Sequence, residues 1–248
     1  MKIRLRPFFV PAVVIACIAL LVVLASQAPS ETALRVMEYA EEKGVSFSEY
    51  PSSLIRLLEC NPETEDFVLN YPFRKEKPVD LGKYNLSRGV PLFVQWDEQW
   101  GYLDYGGEMI GVTGSGPLCL AMAGYYLSDG EEQFSPDKIA EFAAENGYYS
   151  RGNEASANLI SQGGPSLGLK VTALPLVEKK IADYLKNGDP IIASMGPGDF
   201  DNYIVLTGYD DGMISVNDPD SRVNSEMKWS YAELAGQAKK LWVIQMGT

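Results

Sequence analysis

The spacing of apolar positions changes several times along this chain. Positions 8–25 carry no charge and follow three cations, Lys2, Arg4 and Arg6. From Ser30 the apolar residues fall at helical intervals. Ala33, Val36, Met37 and Ala40 share one face of a helix that Ser30 caps and Gly44 ends after about Lys43. A second helical element is expected over 52–58. Asn61 caps a third, Pro62 suits its first turn, and Tyr71-Pro72 stops it. Positions 73–89 are charged and turn-rich, the texture of a linker. Beyond Val90 the run Pro91-Leu92-Phe93-Val94-Gln95 reads as a strand. Helices follow over 115–127, over 135–146 with Ser135 as cap, over 153–167, and over 176–187 with Gly188 closing it. Short strands are then expected over 190–195, 203–209, 213–217 and 241–246, with Asp210-Asp211-Gly212 as a hairpin signal. Helices first and antiparallel strands afterwards describe an α+β domain. The chain divides on this reading into 1–28, a helical preamble with linker over 29–89, and a domain over 90–248, without internal repeats.

Charge narrows the list of partners. The 248 residues carry 21 Lys and Arg against 33 Asp and Glu, a net charge of −12. Setting aside the three N-terminal cations leaves 18 against 33, or −15, for the remainder. Such a surface disfavours nucleic acid and anionic membrane surfaces as partners of the soluble part. The first 28 residues are another matter. Eighteen uncharged positions just span a bilayer, and the cationic flank belongs on the cytoplasmic side. A single-pass signal anchor through 8–25, a signal peptide cut after Val23-Leu24-Ala25, and a lipobox at Val14-Ile15-Ala16-Cys17 are the three readings. Each places the rest of the chain outside the cytoplasm, in the membrane-anchored case at the cell membrane. Three cysteines make a poor disulfide framework. Cys17 lies in the apolar segment, and Cys60 and Cys119 are expected to be unpaired, largely buried thiols.

Four motifs in order carry a resemblance. They are Gln95-Trp96-Asp97; Gly114-Ser115-Gly116-Pro117-Leu118 opening a helix; Asp201-Asn202-Tyr203-Ile204-Val205-Leu206-Thr207-Gly208-Tyr209; and Asn217-Asp218-Pro219. Met195-Gly196-Pro197-Gly198-Asp199-Phe200 ahead of the third motif belongs to the same pattern, as do Asn61-Pro62-Glu63-Thr64 and Asn70-Tyr71-Pro72 in the preamble. From about Val90 to Gln245 the chain resembles the bacteriocin-processing branch of papain-like cysteine peptidases, the C39-like group of exported bacterial proteins. That resemblance implies a central helix packed on an antiparallel sheet, here with an N-terminal helical segment and one transmembrane or signal helix. It also implies a site: a Cys nucleophile in GCGPT, a His base on the GHFIVLTGY-type strand, an Asp that orients the His, and a Gln that donates to the oxyanion.

The reacting groups themselves are replaced. Ser115 stands in the nucleophile's place and Asn202 in the base's. Asp218, sixteen residues after Asn202, and Gln95 match the orienting and oxyanion positions. The chain contains no histidine. A serine hydroxyl needs a general base at the moment of attack, and an amide cannot supply one. The expectation is a catalytically inactive pseudopeptidase that binds a peptide or cell-wall-derived ligand, with Ser115, Asn202 and Asp218 hydrogen-bonded in a row. Two alternatives stand beside it: an active cysteine peptidase centred on Cys119, one turn beyond Ser115, and a structural or assembly domain. No cofactor or metal is expected. Residues 106–116 lack a Gly-Lys-Ser/Thr ending, positions 113 and 117 are Thr and Pro rather than the glycines of G-x-S-x-G, and Asp210, Asp211, Asp218 and Asp220 lack EF-hand spacing. Trp96, Trp100, Tyr102 and Tyr105 are candidates either to line a groove or to pack at the domain's entrance.

Overall fold

A computed structural model describes residues 29–149, 156–196 and 202–247. The apolar segment 8–25, the expected helix start at Asn153 and the stretch Pro197 to Phe200 fall outside these. Among the described residues no helix is long and apolar enough to cross a membrane. The described residues form two compact units, one ending at Tyr50 and the other beginning at Pro51.

In the first unit, helix α1 (Glu31–Lys43) starts where expected: Ser30 Oγ accepts from the Ala33 N–H at 3.1 Å. Gly44 ends it at φ 72°, a conformation free of penalty only without a Cβ. Ala33, Val36 and Ala40 are buried, but Met37 is 41% exposed. It stands about 100° around the helix from Val36, at the margin of the apolar stripe.

The second unit is built on a six-stranded antiparallel sheet. Its strands are β3 (Leu169–Leu174), β4 (Ile191–Met195), β5 (Asn202–Asp210), β6 (Met213–Asn217), β7 (Lys228–Ser230) and β8 (Ala238–Met246), in the spatial order β3-β8-β4-β5-β6-β7. A separate small hairpin pairs β1 (Asp104–Tyr105) with β2 (Glu108–Met109). Asp210 pairs with Met213 across a two-residue turn whose Asp211 and Gly212 both have positive φ, 47° and 77°. Those dihedrals match the right-handed twist of the flanking strands.

Both faces of this sheet are covered, and alternate residues show it. Tyr203 and Val205 of β5, Ile192 of β4, and Trp242 and Ile244 of β8 join one core. Ile204 and Leu206, Ile191 and Ala193, and Leu241 and Val243 join the other. Helix α4 (Ser115–Leu127) lies in the first core. Its residues are buried continuously from Ser115 to Tyr125, as a helix that is apolar all round demands. Helix α5 (Pro136–Glu145) contributes Ile139, Ala140 and Ala143 to the same core. The second core is filled from α6 (Glu178–Lys186) by Ile181 and Leu185, and from α8 (Tyr231–Ala235) by Leu234. The unit is α+β, with its central helix against an antiparallel sheet.

Two expectations fail for stated reasons. Pro91–Gln95 joins no strand. Its backbone is tied from the side instead: Asn217 Nδ2 donates to the carbonyls of Val90 and Pro91, both at 3.0 Å, and the Gln95 N–H donates to Pro219 O at 2.8 Å. Positions 73–89 are no free linker. Leu81 is buried in the first core, Val79, Tyr84 and Leu86 pack on it, and Lys83 pairs with Asp97 at 3.1 Å. Helices α2 (Ser52–Cys60) and α3 (Glu65–Leu69) are likewise part of this unit. Tyr102 Oη donates to Phe67 O at 2.7 Å, and Ser53 Oγ to Glu108 Oε1 at 3.1 Å.

Candidate functional site

A short helix, Ile110–Thr113, runs to Gly114, where the chain turns into α4. Gly114 is required there: a Cβ would come within 2.4 Å of Ile110 O. Ser115 is the first residue of α4 and is buried. Pro117, third in the helix, has no N–H, so the amides of Ser115 and Gly116 are the donors of its opening turn. A helix start of this kind favours negative charge.

Apart from Ser135, every buried polar residue among those described belongs to this region: Asn61, Thr64, Gln95, Ser115 and Asp218. Gln95 is tied to the short helix that leads into α4 and to the loop after β6. Its Nε2 donates to Gly111 O at 3.3 Å and to Asp220 Oδ1 at 3.2 Å. Both protons of the amide therefore have acceptors inside the protein. Asn202 opens β5 opposite Met195 and is half-buried. In the β5–β6 register Val205 faces Asn217, which sets Asn202 and Asp218 at the same end of the sheet.

Asp218, 3% exposed, turns toward its own loop and the helix that follows. Oδ1 accepts from the Asp220 N–H at 2.9 Å, and Oδ2 from Asn224 Nδ2 at 3.0 Å, on helix α7 (Arg222–Glu226). Neither bond comes from Ser115 or Asn202, so the expected row is not closed through the Asp218 carboxylate. Burial pushes this carboxyl up to about 6, and the nearby charges of Asp220 and Glu63 add to the rise against the two hydrogen bonds. Burial also raises the carboxyl of Asp220, with Asn61 opposing and Glu63 reinforcing.

Cys119 is wholly buried one turn into α4, and burial pushes its thiol well above the ordinary range, with the charge of Asp218 in the same direction. It is a core thiol held in its protonated form. Cys60 differs from the expectation of two buried thiols; it is exposed at the end of α2, and neither cysteine is bonded to another. Of the four aromatics, Trp100 and Tyr105 are fully buried, while Trp96 and Tyr102 are half-exposed. Trp96 Nε1 donates to Asp220 O at 3.0 Å, and Arg222 lies over its ring at 4.9 Å. Among the described residues no cluster of His, Cys, Asp or Glu is arranged to hold a metal ion.

The sequence alone gives Glu63 and Asp220 no role in the site and leaves Asn224 unmarked. Glu63 Oε1 accepts from Ser221 Oγ at 2.5 Å, and Oε2 from the Arg222 N–H at 2.9 Å. The signal was present in Asn61-Pro62-Glu63-Thr64, where a helix-cap reading accounts for Asn61 and Pro62 but leaves the carboxylate unassigned.

Residues 87–247 match the Peptidase_C39 like family. Among solved structures, the peptidase domain of Streptococcus ComA, a bi-functional ABC transporter involved in a quorum-sensing pathway, is similar at 17% identity and a TM-score of 0.40, over 54% of this chain and 91% of that one. No curated protein matches the chain.

Proposed function

Starting from the fact that this chain belongs to the peptidase C39-like family, we propose that it is a catalytically silent member, exported and held at the membrane through 8–25, which binds a peptide or a cell-wall-derived ligand without cutting it. The observation that carries this reading is the absence of histidine from the whole sequence, with Ser115 at the first turn of α4. Acyl transfer needs a nucleophile and something to take its proton. Asn202 cannot take it. Asp218 is basic enough near neutral pH, yet its carboxylate is committed to Asn224 and the Asp220 amide. Cys119 is a buried thiol rather than a thiolate. Gln95, in the oxyanion position, already donates to Gly111 and Asp220. What remains is a helix start that favours negative charge and the partly exposed indole of Trp96, features that suit recognition of an extended chain.

The test is an array of extended peptides and muropeptide fragments exposed to the purified protein, with bound material eluted and weighed by mass spectrometry. Recovery of one class, intact, is the expected outcome. Recovery as fragments cut at a single bond would contradict silence, and failure of both classes to bind would contradict the ligand-binding role.

A further inference from the structure

The match to the family begins at residue 87, yet the site is held from outside that span. Asn61, buried between α2 and α3, donates through Nδ2 to Asp220 O at 2.5 Å and to Asp220 Oδ1 at 3.3 Å, while its own Oδ1 accepts from the Glu63 N–H. The fully buried Thr64 fixes this turn, Oγ1 donating to Asn61 O at 2.8 Å. Glu63 then reaches the opening turn of α7: Ser221 Oγ, the Arg222 N–H and, at 3.5 Å, the Val223 N–H all donate to its carboxylate. The two amides are among the backbone donors that a helix start leaves unpaired.

The opposite edge of the site leans on the same segment. Phe67 of α3 is buried against Gly101 and Gly111, where a Cβ would come within 2.7 and 2.5 Å of its ring. Gly111 supplies the carbonyl that receives Gln95 Nε2, and its N–H donates to Gly101 O at 2.8 Å. One stretch of nine residues, 61–69, thus touches the loop that carries Asp218 and the support that carries Gln95.

We propose that Asn61 and Glu63 are positioning residues of the site, clamping the 217–222 loop and the start of α7, with Phe67 setting the Gln95–Gly111 edge from the other side. The upstream segment is then a constituent of the site, and not a spacer between membrane and domain. This rests on the site assigned above but not on its catalytic silence, and the readouts below need neither ligand nor turnover, so the two ideas fail separately.

The groups facing the Asp218 carboxylate are Glu63 from the α2–α3 turn, Asp220 in its own loop, Asn224 from α7 and Cys119 from α4. Two indoles report on the clamp: Trp96 Nε1 donates to Asp220 O, and Trp229 Nε1 to Asn224 O at 3.4 Å. Trp100 and Trp242 sit in the first core and serve as controls. In the full chain in detergent micelles, Glu63→Ala is expected to move the Trp96 and Trp229 indole resonances and leave Trp100 and Trp242 in place. Glu63→Gln keeps an acceptor oxygen and is expected to restore the indole positions, while removal of the like charge lowers the Asp218 carboxyl midpoint from about 6. The proposal is overturned if Glu63→Ala leaves Trp96 and Trp229 unmoved, or moves all four indoles alike. Should Glu63→Ala fail to fold, an unchanged Asp218 midpoint in Glu63→Gln overturns it by itself.

Discussion

At Cys119 and Asp218, burial acts on two ionisable groups with opposite consequences for chemistry. It keeps the thiol protonated, which removes its nucleophilicity, and it makes the carboxylate a better base than an exposed Asp. The thiol gives a direct prediction: iodoacetamide at neutral pH modifies Cys60 and spares Cys119 until denaturant is added, as read by peptide mass mapping. The carboxyl gives a second. In the folded protein Asp218 keeps its proton up to about pH 6, whereas the unfolded chain releases it near 3.8. Its contribution to stability is therefore full below 3.8 and lost as pH rises through about 6. The shift corresponds to on the order of 2–3 kcal/mol. Asp218→Asn carries no charge at any pH, so urea midpoints should show the wild-type advantage over this variant shrinking by that order between pH 4 and pH 7. Ser115, Gln95 and Asp218 were marked as candidates by motifs alone, each at a fixed place in a short run, Gly114-Ser115-Gly116-Pro117, Gln95-Trp96-Asp97 and Asn217-Asp218-Pro219. Their partners were not, since Glu63 and Asn61 approach Asp220 and α7 across some 160 positions of chain, and no local pattern encodes that meeting.

At the level of elements, legibility followed burial on both faces. The apolar runs Ile191-Ile192-Ala193 of β4 and Tyr203-Ile204-Val205-Leu206 of β5, and the apolar α4, declare themselves in the sequence, and α4 runs over the expected positions. β3 was missed because its central residues are polar or exposed, Lys170, Thr172 and Ala173, and its strand character comes from pairing with β8. Pro91–Gln95 misled for the converse reason: apolar side chains enter the core while side-chain donors, rather than a sheet neighbour, serve the backbone. Close approach of α4 to the segment before α5 yields a third prediction. Gly124 has Phe134 so near that a Cβ would lie 2.1 Å from its ring. Alanine favours a helix by about 1 kcal/mol over glycine. Overpacking typically costs about 1–3 kcal/mol. The clash is severe enough for the second effect to win, so Gly124→Ala should lower the thermal midpoint, where a solvent-facing glycine in a helix would raise it.

For the whole molecule, composition told more than any single motif. A chain of the C39-like family without a single histidine has no imidazole to serve as general base, and that absence is the ground for proposing that it binds an extended chain without cutting it. The packing of 51–89 within the second unit was hidden because its apolar residues, Leu81 among them, are scattered between charges, and the same composition would serve for a solvated tether. The most direct measurement is peptide-bond turnover by the purified wild-type chain against a fluorogenic peptide library, run beside Ser115→Ala and Cys119→Ala from the same preparation. The account predicts that all three give the same background rate. Wild-type turnover that disappears in either variant would contradict it.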